Sequence, residues 1–144
     1  MDKDVQKYLP HRPPFSFLDE FETTPDGMQI KGRRTFHADE QFFQGHFPGL
    51  PVVPGLLLVE ALAQCGGAGM VKAGRVPQGC DFFLASVKDV KFHSKVVPED
   101  TLEMDVETVK TIHNKFLVQR GKGFAAGKLA VEAQWICAVV PKER

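Results

Sequence analysis

The chain has 144 residues, of which 43% are hydrophobic, and its 18 basic side chains balance 18 acidic ones. This length and composition predict a single globular domain over residues 1–144 and exclude a disordered chain. The zero net charge gives no overall field that would attract nucleic acid or an anionic membrane. Cys65, Cys80 and Cys137 are odd in number and include no Cys-x-x-Cys motif. We therefore expect reduced, mostly buried thiols and no structural zinc.

The start of the chain predicts an intracellular, cytoplasmic protein, because it lacks the basic residues and the apolar core of a signal peptide. The longest apolar stretch, residues 52–59, is interrupted by Pro54 and Gly55 and followed by Glu60. A membrane-spanning helix needs about 20 apolar residues, so we expect no membrane span. Phe accounts for 12 aromatic residues, beside one Trp and one Tyr. This bias indicates a Phe-rich core or a channel for an apolar ligand.

In chain order, the residue pattern predicts a short helix, two strands, one long helix and four further strands. The first helix, over residues 2–9, ends at Pro10, and Pro25, Asp26 and Gly27 mark a hairpin turn. Runs of apolar and β-branched residues predict strands at residues 15–21, 28–36, 82–92, 102–111, 115–126 and 129–140. This order indicates an α+β domain in which an antiparallel sheet wraps around the long helix.

The long helix, predicted over residues 56–71, carries the most informative pattern. Residues 56–65 are apolar except for Glu60 and Gln64, and a helix that is apolar all round is a buried one. The two polar residues are four positions apart, so they lie on one face and can share a site. Burial should raise the pKa of Glu60, as a general acid requires. The alternative is that Glu60 faces solvent on an ordinary amphipathic helix.

The loop before this helix, residues 44–55, contains three glycines and three prolines, and such dense backbone constraints predict an ordered loop. His46 lies between two turns bounded by glycine, and histidine is the natural general base near neutral pH. A loop histidine taken alone is more often structural. Gly55 stands at the predicted helix start, where its N–H and the helix dipole would face an anion or a polarised carbonyl. The spacing leaves open whether His46 meets Glu60 of its own chain or of another.

Other motifs carry little functional information. No dinucleotide-binding loop is expected, because the glycines after residue 66 follow no predicted strand, and no Gly-x-Ser-x-Gly motif occurs. The remaining histidines, His11, His37, His93 and His113, lack the spacing of metal ligands. We interpret them as caps, turns or surface residues, and we expect no metal site and no cofactor.

Four segments, in order along nearly the whole chain, form a recognisable set. They are LPHRPPF at 9–15, GHFPGLPVVPG at 45–55, LLLVEALAQ at 56–64 and KFHSKVVPED at 91–100. This set resembles the (3R)-hydroxyacyl-acyl-carrier-protein dehydratases of fatty acid synthesis. The most specific part is His-Phe-Pro-Gly, followed 14 residues after its histidine by a glutamate. A glutamate at this place is similar to the dehydratase-only branch rather than the dehydratase/isomerase branch.

The resemblance implies a hot-dog fold, in which a curved antiparallel sheet wraps around one long central helix. It implies that His46 is the catalytic histidine, Glu60 the catalytic acid, Gly55 the N–H donor to a thioester carbonyl, and Gln64 the partner that orients the carboxylate. The histidine and glutamate of one site come from different subunits in this family. A homodimer with shared sites is therefore implied, often assembled into a trimer of dimers. The implied partner is acyl carrier protein with a thioester-linked 3-hydroxyacyl chain.

The residue types fit the chemistry that the resemblance implies. His46 would take the α-proton, the Gly55 N–H would stabilise the charge on the thioester oxygen, and Glu60 would protonate the leaving hydroxyl, with no metal. Phe47 and residues 82–83 are the expected lining of the acyl chain. Two alternatives stay open. One is a hot-dog thioesterase that activates water with a carboxylate, and the other is a non-catalytic subunit that binds the acyl carrier.

An acidic carrier protein would need a local basic surface, although the charges of the whole chain cancel. Residues 72–95 hold five basic and two acidic side chains, and Lys31, Arg33 and Arg34 form a second basic cluster. We predict that one of the two clusters borders the mouth of the acyl tunnel, because complementary charge guides such encounters.

Overall fold

The computed structural model describes residues 1–142, and this part of the chain forms one long helix and six β-strands. The helix, α1, spans Gly55–Lys72. The strands are β1 (Glu20–Thr23), β2 (Gln29–Thr35), β3 (Cys80–Phe92), β4 (Thr101–Ile112), β5 (Phe116–Ala125) and β6 (Lys128–Pro141). They form one sheet in the order β1-β2-β4-β5-β6-β3, and every neighbouring pair is antiparallel.

The sequence-based fold is confirmed, because the sheet curves around α1 and all six strands contact that helix. The helix begins one residue before the predicted start and ends one residue after the predicted end. Five of the six predicted strands agree with the observed ones to within two residues. All three cysteines are free and buried, as expected. Within residues 1–142, no helix combines the length and the hydropathy that crossing a membrane requires.

Two predictions for the N-terminal segment are wrong. Residues 2–9 do not form a helix; only Val5–Lys7 makes a short 3-10 turn, and the backbone of Asp2 pairs with that of Phe21. Residues 15–19 are not a strand, since β1 starts at Glu20. A side chain from α1 takes up the backbone hydrogen-bonding groups of this stretch, as described below.

Glycines allow α1 to lie directly on the sheet. A Cβ atom at Gly69 would fall 2.5 Å from the side chain of Ile30, and one at Gly66 would fall 2.7 Å from Cδ of Gln119. Gln119 is fully buried, and its Nε2 donates to the Gly66 carbonyl at 3.2 Å, while Trp135 Nε1 donates to its Oε1 at 3.3 Å. This contact fixes the distance between the middle of α1 and the strands β5 and β6.

Strand β3 ends the sheet, with β6 on one side and no described strand on the other. Most of its residues are exposed, including several large apolar ones, namely Phe83, Leu84, Val87 and Phe92. A long, apolar edge strand presents unpaired backbone groups to other chains. Such an edge is a candidate surface for association with another chain.

Candidate active site

Glu60 and Gln64 form the centre of the site on the face of α1 that the sequence predicted. Gln64 Nε2 donates a hydrogen bond to Glu60 Oε2 at 2.9 Å. The Glu60 side chain is 19% exposed, so the alternative of a solvent-facing residue is wrong. Burial raises the pKa of Glu60, and the hydrogen bond from Gln64 opposes that rise only in part. This environment therefore favours the protonated form of the carboxyl group.

Gln64 has its amide oriented by the chain segment before β1. Its Oε1 accepts the backbone N–H of Phe17 at 2.8 Å, and its Nε2 also donates to the Phe15 carbonyl at 3.2 Å. Because only the oxygen can accept the N–H, these contacts direct the amide nitrogen at Glu60. The same two bonds explain why residues 15–17 do not join the sheet as a strand.

A small cavity lies beside Glu60, with a volume of about 20 Å³, which is enough for roughly one water molecule. It is lined by Leu9, His11, Glu60, Ala63, Gln64, Phe82, Leu84 and Cys137. Phe82 is thus at the site, as expected, whereas Phe83 is 57% exposed.

His11 is the site residue that the sequence reasoning missed. Its Nε2 lies 3.6 Å from Glu60 Oε2, and its side chain is 17% exposed. The interpretation of this residue as a cap, turn or surface histidine is therefore wrong. One signal in the sequence could have indicated a role for His11, namely its place in the segment LPHRPPF, which belongs to the resemblance. The segment shows no apolar periodicity and no spacing of metal ligands, so the pattern alone did not assign it to the site.

His46 and Phe47 occupy the loop before α1 and do not line the Glu60 cavity. The Nδ1 of His46 lies 3.0 Å from the Val52 carbonyl, and its ring stacks on that of Phe47 with centroids 4.2 Å apart. Phe47 is 52% exposed. Within one chain the structure therefore does not bring the predicted base to the cavity of the predicted acid.

Gly55 is the first residue of α1, directly before the predicted helix of residues 56–71. A Cβ atom here would fall 2.7 Å from the ring of Phe92, so only glycine fits without displacing that ring. Gly55, Leu56, Phe92 and Lys95 line an open groove of about 480 Å³. The first N–H groups of a helix have no partner inside the helix, so the groove offers hydrogen-bond donors to a bound molecule.

The two predicted basic clusters differ in the structure. Arg33 contacts acidic side chains on both neighbouring strands at 3.3 Å, Arg34 is buried against Glu40, and Lys31 lies 4.0 Å from an aspartate. Each basic side chain of that cluster thus lies near at least one acidic side chain. The 72–95 segment differs, because Lys88, Lys91 and Lys95 are exposed on or just after β3.

The Cys137 thiol is a further titratable group at the Glu60 cavity. Burial, reinforced by the nearby Glu60 carboxyl, raises the pKa of Cys137 to about 12. The thiol is therefore protonated at neutral pH and a poor nucleophile. Within residues 1–142, no group of three or more His, Cys, Asp or Glu side chains is arranged to hold a metal ion.

Residues 9–138 match the family described as the FabA-like domain. The chain belongs to this family. A 3-hydroxyacyl-[acyl-carrier-protein] dehydratase FabZ from Nitratidesulfovibrio vulgaris Miyazaki F is 41% identical over 144 residues, which cover 98% of this chain and 92% of that protein. The protein of the same name from Koribacter versatilis is 38% identical, covering 96% and 88%. The resemblance seen in the sequence, and with it an enzyme of the hydro-lyase class, is confirmed.

Solved structures with lower identity share the fold. The dehydratase heterocomplex ApeI:P from Xenorhabdus doucetiae superposes with a TM-score of 0.74 at 18% identity, covering 96% of this chain and 91% of that one. A hypothetical thioesterase with coenzyme A from Streptococcus pneumoniae gives a TM-score of 0.63 at 12% identity, covering 99% and 98%. Both likenesses support the hot-dog architecture.

Proposed function

We propose that the protein removes water from (3R)-3-hydroxyacyl-acyl-carrier-protein to give trans-2-enoyl-acyl-carrier-protein in fatty acid elongation. The observation that carries this proposal is the Glu60 carboxyl, which is largely buried, has a raised pKa and accepts a hydrogen bond from Gln64, in a chain with FabZ relatives. A carboxylic acid kept protonated near neutral pH is the group that a leaving hydroxyl needs.

His46 is the proposed base. A carbonyl oxygen can only accept, so the contact with Val52 assigns the ring proton to Nδ1. Nε2 then carries the free lone pair and can remove the α-proton of the substrate. Phe47 stacks on the ring and restricts its rotation.

In the proposed reaction the electron pair of the α-C–H bond moves toward the thioester, and His46 becomes an imidazolium. The N–H of Gly55 donates to the thioester oxygen as negative charge develops there. The pair then forms the carbon–carbon double bond, the C–O bond breaks, and Glu60 gives its proton to the departing hydroxyl. Return of one proton from His46 to Glu60 restores both groups after water leaves.

A homodimer with shared sites is the proposed active unit. His46 does not line the Glu60 cavity of its own chain. Strand β3 carries Phe82 and Leu84 of that cavity, and its apolar outer edge has no neighbouring strand within residues 1–142. Pairing two β3 edges would cover these apolar side chains and provide each Glu60 with the partner's loop. Assembly of such dimers into a trimer of dimers remains a prediction.

The first test is turnover by purified protein on a hydroxyacyl-carrier substrate. His46→Ala and Glu60→Gln should each lose at least about 100-fold in kcat while remaining folded, because each removes one proton-transfer group. Retention of most of the rate by His46→Ala would refute the mechanism. Formation of free acid instead of enoyl product would identify a thioesterase, and absence of any turnover a binding subunit. The likeness to thioesterases lies in the fold alone, so it favours neither alternative.

The second test is subunit complementation. If the two groups of one site come from different chains, refolding an equal mixture of His46→Ala and Glu60→Gln should restore about a quarter of wild-type activity, since half of the dimers then hold one intact site. Each variant refolded alone is the control. No recovery from a mixture shown to contain heterodimers would place both groups in one chain.

Carrier docking is proposed at the groove beside Gly55, where Lys95 is exposed. Lys95→Glu should raise KM for the carrier-bound substrate with little change in kcat, because charge on the rim mainly affects encounter. Lys110→Glu, an exposed residue of β4, is the matched control. Equal KM values for the two variants would rule out docking at this groove.

The remaining assignments stay predictions. Phe47 and Phe82 are proposed to contact the acyl chain, and profiles of kcat/KM against chain length for Phe→Ala variants would test this. A cytoplasmic location and a single domain over residues 1–144 are likewise predictions from the sequence.

A further inference from the structure

His11 is a second side chain, besides Gln64, that lies beside the proposed acid. It belongs to the segment before β1, its side chain is largely buried, and its Nε2 faces Glu60 Oε2 at 3.6 Å. Gln64 donates to the same oxygen. The other oxygen, Oε1, makes no hydrogen bond with any residue of the described chain. One oxygen of the carboxyl is therefore held between two side chains while the other is available.

The surroundings of His11 select one tautomer. Its Nδ1 is buried and has no hydrogen-bond partner among residues 1–142. A proton on Nδ1 would leave a buried N–H without an acceptor, which is unfavourable. It would also direct the lone pair of Nε2 at the lone pairs of Glu60, which repel it. A proton on Nε2 instead directs a donor at Oε2. At 3.6 Å this contact is longer than a hydrogen bond, and catalytic bonds are often long before substrate binds.

We propose that His11 is a positioning residue for Glu60: its neutral imidazole, together with Gln64, holds Oε2 of the carboxyl and leaves Oε1 to exchange the proton with the substrate. This inference rests on the proposed function of Glu60 as the acid. Two neutral donors on one oxygen also stabilise the carboxylate that remains after the proton has been given up.

The neutral state of His11 follows from the groups around it. Burial lowers the pKa of His11, the adjacent Arg12 lowers it further, and Asp81 on β3 opposes both. Toward α1 it faces Glu60, and toward β6 the cavity holds the protonated thiol of Cys137. A cation at this position would favour the ionised form of Glu60 before reaction and so remove the acid. A neutral donor avoids that effect.

Three substitutions test whether His11 acts through its hydrogen-bond donor or only through the volume of its ring. His11→Gln keeps a neutral donor, so it should retain activity to within about 3-fold. His11→Phe keeps the ring but loses the donor, so kcat should fall about 10-fold while KM stays within about 2-fold, the usual effect of losing one hydrogen bond in the transition state. His113→Phe, at an exposed turn residue, is the matched control.

The pH profile supplies a readout that folding does not affect. Activity requires protonated Glu60, so the rate declines as pH rises through the pKa of that group. His11→Lys adds a cation beside it, which should lower that pKa and move the alkaline limb down by about 1 unit or more. The acidic limb is the internal reference and should not move. The position of a limb does not depend on how much of the variant has folded.

The outcomes divide clearly. Loss of kcat in His11→Phe with rescue in His11→Gln, together with the shifted limb, supports the proposal. Three results would overturn it. They are a wild-type kcat in His11→Phe, equal losses of kcat in His11→Phe and His11→Gln, and an alkaline limb of the pH profile that does not shift in His11→Lys. If Glu60→Gln retains activity, the proposed acid itself is wrong. NMR titration of the Glu60 carboxyl in wild type and His11→Lys still tests the His11 contact in that case, because it needs no turnover.

Discussion

Two adjacent glycines of α1 should respond in opposite ways to the same substitution. Gly66 and Gly67 are both in the helix and both buried, but a Cβ atom at Gly66 would overlap the side chain of Gln119, whereas one at Gly67 has its nearest neighbours, Phe82 and Leu9, at 3.5 Å or beyond. The second arrangement is ordinary van der Waals contact. Gly66→Ala should therefore destabilise the protein, and Gly67→Ala should stabilise it.

The magnitudes follow from the contacts. Either substitution gains about 1 kcal/mol from helix propensity. At Gly66 the new methyl group must displace Gln119, and overpacking of this kind costs roughly 1–3 kcal/mol. Displacement also leaves Trp135 Nε1 buried without its acceptor, which costs roughly another 1–3 kcal/mol. The net loss for Gly66→Ala is about 3 kcal/mol, and the two variants should differ by about 4 kcal/mol.

Urea denaturation at one fixed protein concentration measures both values, because the stability of an oligomer depends on concentration. The Gln119→Ala background is the internal control: with the obstructing side chain removed, the penalty of Gly66→Ala should largely disappear. Equal unfolding midpoints for the two glycine variants would refute the view that Gln119 fixes the distance between helix and sheet.

Three further predictions concern the site, the thiols and the edge strand. The raised pKa of Glu60 means that its carboxyl favours folding below its ordinary pKa of 4.5 and opposes folding as pH rises through the raised value. Glu60→Gln should therefore have a larger free energy of unfolding than wild type at pH 8. A difference that does not shrink toward pH 4 would contradict this. Burial raises the pKa values of Cys65 and Cys137, so neither thiol should react with a thiol reagent at pH 8 until urea unfolds the chain. Rapid labelling of these two thiols in the native protein would show that they are accessible. On β3, Val87→Asp should give a folded, inactive protein that light scattering shows to be a monomer. The control is Val109→Asp, at an exposed position of β4, which should remain associated. A fully associated and active Val87→Asp protein would exclude β3 as the interface.

The sequence predicted those parts of the molecule that depend on local periodicity. The all-apolar surroundings of Glu60 and Gln64 located both the buried helix and the shared site, because two residues four positions apart must lie on one helix face. Runs of apolar and β-branched residues located five strands. The proposed base, His46, was found by residue type and resemblance, but its position relative to Glu60 was not, since this loop does not line the Glu60 cavity of its own chain.

The wrong predictions share one cause, which is a partner distant in sequence. Residues 15–19 have the composition of a strand, yet their backbone groups bond to Gln64. His11 looked like a turn residue because Glu60, its neighbour in space, lies 49 positions away in the sequence. Sheet register also places a glutamate opposite Arg33 on both sides, which a count of charges along the sequence does not show.

The three hydrogen bonds of Gln64 have a consequence for how the enzyme becomes active during folding. The Gln64 amide, which donates to the Glu60 carboxyl, is itself held by the backbone of Phe15 and Phe17, so its orientation depends on docking of the segment before β1 on α1. Docking of that segment also delivers His11 to the carboxyl. A chain in which this segment has not docked therefore lacks the contacts that orient Gln64 and place His11 beside Glu60.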